Sequence, residues 1–79
     1  MADVRIEYCV PCGFLDRAEE VQHALLTSLG EDLDSVALVT GEKGVFRVHV
    51  DGDTIYDKDE DGDYDVNGLV ATVRDRVAR

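Results

Sequence analysis

Val4-Arg5-Ile6-Glu7-Tyr8-Cys9-Val10-Pro11-Cys12-Gly13 holds both cysteines of the chain, three positions apart, at the junction of two periodicities. Upstream, Val4, Ile6 and Tyr8 alternate with Asp3, Arg5 and Glu7, the period of two that a strand with one covered face requires. Downstream, Phe14, Ala18, Val21, Leu25 and Leu29 recur every three or four residues, the stripe of an amphipathic helix running from about Gly13 or Phe14 to Leu29. A dithiol between strand and helix has a chemical rationale. The unpaired N–H groups of the first helical turn and the positive end of the helix dipole favour thiolate, the reactive form. Two intervening residues let the sulfurs of Cys9 and Cys12 close a small ring, so a mixed disulfide can be resolved within the molecule. Val10, Pro11 and Gly13 shape the loop. Pro11 lacks a donor that the first helical turn would leave unpaired anyway, and its ring fixes φ.

Two cysteines at this spacing also suit half of a zinc site, or two inert buried thiols. Structural zinc needs two further ligands, and the chain has no third Cys, while His23 and His49 lie too far apart for a close pair. The expectation is therefore redox chemistry with no metal and no organic cofactor.

At 79 residues the chain makes one domain, residues 1–79, with a core that is marginal at this size. It has no apolar run long enough to span a membrane and no basic-then-apolar N-terminus, so the expected location is cytoplasmic. In a reducing compartment a lone Cys pair is catalytic, sensing or metal-binding more often than a structural staple. A net charge of −10 argues against nucleic acid and against anionic membrane surfaces. The expected partners are a low-molecular-weight thiol or a protein disulfide, with the protein itself a monomer or weak dimer. Twelve Asp and six Glu stand against two Lys and six Arg, a balance that suggests adaptation to high salt, where self-repulsion is screened.

Further along, Gly30 offers a C′ stop for the helix. The apolar run Val36-Ala37-Leu38-Val39 predicts a second strand over 35–40, parallel to the first through a right-handed crossover. After Gly41-Glu42-Lys43-Gly44, a third strand over 45–50 puts Phe46, Val48 and Val50 on one face and Val45, Arg47 and His49 on the other. Asp51-Gly52 is a hairpin signal, with 53–56 returning as the fourth strand. Leu69, Val70, Val73 and Val77 then share one face of a last helix over 66–77. Both helices are expected on one side of the sheet, leaving Arg5, Glu7, Arg47 and His49 wet on the other, with His49 in solvent or in a rim hydrogen bond. The fold class is α/β, a two-layer β-α-β-β-β-α sandwich.

Asp57-Lys58-Asp59-Glu60-Asp61-Gly62-Asp63-Tyr64-Asp65 fits the first half of a calcium loop, with acids at the first, third and fifth positions and then Gly. The twelfth position, where a bidentate Glu closes the coordination sphere, is Gly68, and the preceding residues read as strand instead of helix. The segment is expected to be an acid-rich turn.

The chain resembles the Rdx family, the selenoprotein W-like proteins of the wider thioredoxin-like fold. Three stretches carry the resemblance: residues 4–13; Gly44-Val45-Phe46-Arg47-Val48 with Asp51-Gly52 and Ile55; and Gly62-Asp63-Tyr64 before the last helix. The resemblance implies a four-stranded mixed sheet in the order 2-1-3-4, where a plain hairpin between strands two and three would give 1-2-3-4. In the implied order residues 41–44 cross the end of strand one. Two strand spacings are about 10 Å and four extended residues reach roughly 13 Å, so the loop is long enough. Thr40, Gly41, Gly44 and Val45 would then wall the dithiol and meet substrate. In selenoprotein members the second active position, here Cys12, holds selenocysteine, whereas thioredoxins attack with the first; Cys9 and Cys12 are thus assigned jointly as attacking and resolving thiols. Arg47 stands where the family has Glu, and the chain has no second Pro to match the cis-proline of thioredoxin grooves. The function these readings favour is a small thiol–disulfide oxidoreductase. The alternative is a redox-sensing interaction protein, and a metal-binding protein ranks below both.

Overall fold

The computed structural model describes residues 2–61 and 65–77. Strand β1 (Ala2–Cys9) leads into helix α1 (Leu15–Leu29), then β2 (Leu33–Gly41), β3 (Phe46–Val50), β4 (Asp53–Asp57), a single helical turn α2 (Lys58–Asp61) and helix α3 (Val66–Val77). The sheet order is β2-β1-β3-β4, the order that the family resemblance implied. β1 runs parallel to β2, from Val4 beside Val36 to Cys9 beside Gly41, and antiparallel to β3, from Val4 beside Val50 to Tyr8 beside Phe46.

One layer of side chains holds the fold together. Val4, Ile6 and Tyr8 of β1, Phe46, Val48 and Val50 of β3, and Tyr56 of β4 meet Ala18, Val21, Leu25 and Leu29 of α1 and Leu69, Val70 and Val73 of α3. Both long helices therefore cover the same face, as the alternation along β1 and β3 requires. On the opposite side of the sheet lie Asp3, Arg5 and Glu7, with Arg47 and His49 beside them on β3. α3 opens on Asp65, whose Oδ1 accepts the Asn67 N–H at 3.2 Å, the usual side-chain substitute for a missing helical partner.

Four expectations need correction. Gly30 is right-handed (φ −55°, ψ −33°) and begins a 3-10 turn over Gly30–Asp32, so it is no left-handed C′ residue. The turn lets the chain swing directly into β2 at Leu33, two residues before the expected start at Ser35. Val45 precedes β3 and is buried, not on the open face, because the crossing loop folds it in beside Gly41. His49 makes the hydrogen bond that was one of its two expected settings, with Thr54, but it is 7% exposed and not wet, and a bulge at Ile55 aligns Thr54 with it. Without that bulge Thr54 and Tyr56 would share a face; with it Thr54 stands beside His49 while Tyr56 enters the core.

The acid-rich segment opens as a helical turn. Asp57 caps it, with Oδ1 accepting the Asp59 N–H at 3.0 Å and Oδ2 accepting from Arg47 Nε at 3.0 Å. The first acid of the would-be calcium loop is thus spent on protein partners. Gly62, Asp63 and Tyr64, and with them the third stretch of the family resemblance, lie outside the described residues.

Candidate active site

β1 delivers Cys9 to the end of the sheet and the chain turns at once. Val10 to Gly13 form a β-turn in which the Gly13 N–H donates to the Val10 carbonyl at 3.2 Å. Pro11 occupies the second turn position, where its fixed φ is favoured, and Gly13 takes φ +77°. This corrects the sequence reading of Pro11: it belongs to the turn, not to the first turn of the helix. α1 opens only at Leu15, with Phe14 as an N-cap that makes no side-chain hydrogen bond.

Cys9 and Cys12 are joined as a disulfide with Cα atoms 5.4 Å apart, inside the span that a disulfide bridges without moving backbone. The two residues differ sharply in access. Cys9 is 1% exposed, and its N–H donates to the Val45 carbonyl at 2.8 Å. Cys12 is exposed, beside exposed Pro11 and Val10. Under the turn Phe14 packs edge-on to Phe46 at 5.9 Å between ring centres, and Phe46 packs edge-on to Tyr56 at 6.2 Å. The Arg17 guanidinium stands 4.9 Å from the Phe14 ring centre and Lys58 Nζ 5.8 Å from it, so this aromatic ledge carries cations in a strongly acidic protein.

The loop after β2 crosses the end of β1 as a tight turn, with the Val45 N–H donating to the Glu42 carbonyl at 3.2 Å. Lys43 (φ 59°) and Gly44 (φ 75°) take the left-handed conformations this turn demands. Of the residues read from sequence as a wall, Gly41 is the sheet neighbour of Cys9 and Val45 is bonded to its N–H; Thr40 pairs with Tyr8, and Gly44 sits at the turn. Gly41 has no room to be anything larger. A Cβ there would collide with Val45 Cγ1 and come within 3.0 Å of Glu7 Cγ. Gly41→Ala is expected to destabilise the protein by about 1–3 kcal/mol through overpacking. At Gly30, right-handed and with nothing near its Cβ position, Ala is expected to stabilise by about 0.4–1 kcal/mol. Urea unfolding of the two variants checks both signs.

Three more side chains gather on the open face. Glu7 Oε1 lies 3.6 Å from Arg47 Nη1 and 3.6 Å from His49 Nε2. His49 Nδ1 is 2.9 Å from Thr54 Oγ1, and its buried Nε2 has no hydrogen-bond partner among the described residues. The alternation of Glu7 with Ile6 and Tyr8 placed it on this face, but its meeting with His49 depends on the β1–β3 register, which no local pattern reveals. Asp57, the β4 neighbour of Arg47, is held below the ordinary carboxylate value, first by the Asp59 N–H and then by Arg47. Its charged form is therefore favoured in the fold. That stabilisation is present above the ordinary value of 3.8 and is lost as pH falls through the lower folded value. Asp57→Asn is expected to weaken the protein at pH 7 and to converge on the parent's stability in acid, as denaturant unfolding at the two pH values would measure.

Over residues 3–75 the chain matches the Rdx family. The chain belongs to the Rdx family. This Rdx protein is 39% identical to a protein of Bordetella parapertussis known from its crystal structure, with a TM-score of 0.91 over 95% of this chain and 96% of that one. It is 27% identical to a selenoprotein W-related protein from Vibrio cholerae, with a TM-score of 0.92 and 96% of both chains covered. No curated protein matches it. Family and paired cysteines together support a thiol redox role for this Rdx protein.

Proposed function

We propose that the protein is a small cytoplasmic thiol–disulfide oxidoreductase in which Cys12 attacks and Cys9 resolves. The observation that carries this reading is the unequal access of the two joined cysteines, one exposed and one 1% exposed. In the reducing half-cycle the Cys12 thiolate attacks one sulfur of a substrate disulfide, forming a mixed disulfide and expelling one thiolate. The Cys9 thiol then attacks Cys12 Sγ, expels the second thiolate and closes the internal bond. The net change converts one substrate disulfide to two thiols while the protein dithiol becomes a disulfide. With a peroxide the same pair works through a sulfenic acid on Cys12, which Cys9 condenses with, releasing water.

The substrates this reading favours are small: a low-molecular-weight thiol in its disulfide form, or an exposed protein disulfide. Cys12 lies in an exposed turn, beside the ledge where Arg17 and Lys58 stand over Phe14, within reach of a small disulfide. Arg17 approaches Phe46 as well, at 5.8 Å, which fixes it against the ledge. No helix among the described residues is long and apolar enough to cross a membrane.

Equilibration with graded glutathione buffers, read by mass after thiol trapping, tests the reading. A reversible two-electron transition with a transient glutathione adduct on Cys12 is expected. A pair that stays disulfide-bonded across the whole series, or exchanges only over hours, would instead favour a redox-sensing adaptor.

A further inference from the structure

Resolution requires the Cys9 thiol to lose its proton, yet Cys9 is buried and sits in a protein of net charge −10, both of which oppose a thiolate. A proton acceptor must therefore stand close by. Along β1, Glu7 and Cys9 point to the same side of the sheet, roughly 6–7 Å apart at Cα. The Glu7 side chain also lies over Gly41. Its Cγ and Oε2 lie 3.0 and 3.4 Å from where a Cβ on Gly41 would be, and Gly41 is the β2 neighbour of Cys9. The missing side chain at Gly41 is what leaves the carboxylate this space.

We propose that Glu7 takes the proton from the Cys9 thiol as the internal disulfide closes, and that His49 is a positioning residue that holds the carboxylate in place. This rests on the redox reading above. In the step, the Cys9 S–H proton passes to a Glu7 oxygen, the sulfur bonds Cys12 Sγ, and the bond from Cys12 to the substrate sulfur breaks with its electron pair leaving on the substrate thiolate. That thiolate, or water, then takes the proton from Glu7.

Charged groups flank the Glu7 carboxylate on its own strand and on β3. Arg47 and His49 face it from β3, at 3.6 Å each; Arg5 and Asp3 share its face of β1, and Asp57 of β4 draws Arg47 away with a 3.0 Å bond. β2 presents Ser35, Ala37 and Val39 beside it, none of them charged, and Glu42 follows in the crossing loop. If the Thr54 hydroxyl donates to His49 Nδ1, the N–H of that ring is on Nε2, where it faces Glu7 Oε1. This gives the buried Nε2, which has no hydrogen bond among the described residues, a purpose.

Reaction of the reduced protein with dithiodipyridine separates the two steps, because attack by Cys12 and closure by Cys9 each release one chromophore. Glu7→Gln is expected to slow the second release about a hundredfold near neutral pH, the scale of general base catalysis, and to leave the first within about twofold. Glu7→Asp should recover part of the second rate. His49→Asn should slow it less and displace its pH profile. If Glu7 acted only as a negative charge, Gln would ease thiolate formation and the second release would quicken. An unchanged or faster second release in Glu7→Gln, with the first release intact as evidence of folding, overturns the proposal alone. Absence of a second release from the unaltered protein overturns the redox reading and this proposal with it.

Discussion

Reduced protein carrying Cys9→Ser is expected to alkylate with iodoacetamide at close to the parent's rate, while Cys12→Ser reacts at least about tenfold more slowly. Both variants retain one thiol, so the contrast reports position and not number. Thiol reactivity follows thiolate fraction and access, and Cys12 has the advantage in access. It lies in an exposed turn, whereas Cys9 is 1% exposed with its N–H bonded to the Val45 carbonyl. The same asymmetry predicts the fate of a small disulfide. Cys9→Ser should accumulate a stable mixed disulfide on Cys12, because no neighbour remains to resolve it, and Cys12→Ser should accumulate almost none. Equal alkylation of the two variants would remove the assignment of attacking and resolving sulfurs, though not the pairing itself.

Phe46→Ala should cost the fold about 3–5 kcal/mol, the range for deleting a buried aromatic side chain. Phe46 is 1% exposed and is the largest of the fully buried side chains. It also meets Phe14 and Tyr56 edge-on, so its removal forfeits two ring contacts along with its own burial. For a domain of this size total stability is roughly 4–12 kcal/mol, so the loss is a large share of the whole. A fall in Tm of at least about 12 °C is expected in a thermal scan of the disulfide-bonded form. The effect should reach the cysteines. Phe14 follows the dithiol turn directly and packs on Phe46, so the variant's disulfide is expected to be reduced faster by dithiothreitol even below its unfolding transition. Phe46→Leu, which refills most of the space, should restore most of the Tm and slow that reduction again. A Phe46→Ala protein that melts within about 3 °C of the parent would mean that this ring contributes far less than its burial implies.

Much of the architecture was legible along the chain because it depends on neighbours in sequence. The period of two through Asp3–Tyr8 put Val4, Ile6 and Tyr8 against the core, and the helical stripe through Ala18, Val21, Leu25 and Leu29 is the buried face of α1. Asp51-Gly52 turned as its residue types demand, both with positive φ. The pair Cys9 and Cys12 was evident from spacing. The strand order, however, came from family likeness: a local pattern cannot tell a hairpin between β2 and β3 from a loop that crosses β1.

Which residues face inward, where the chain turns and which two sulfurs can meet are all readable from the order of residues alone. Each of these is set by backbone preference and by the burial of side chains a few positions apart. Three features emerge from the folded chain instead: Cys9 is enclosed while Cys12 is open, Gly41 must lack a side chain because Val45 and Glu7 fill its space, and a bulge at Ile55 brings Thr54 to His49. Those facts join residues as far apart in the chain as Cys9 and Val45. They follow from strand register and from the path of one crossing loop, both fixed by the packing of the whole sheet against its helices.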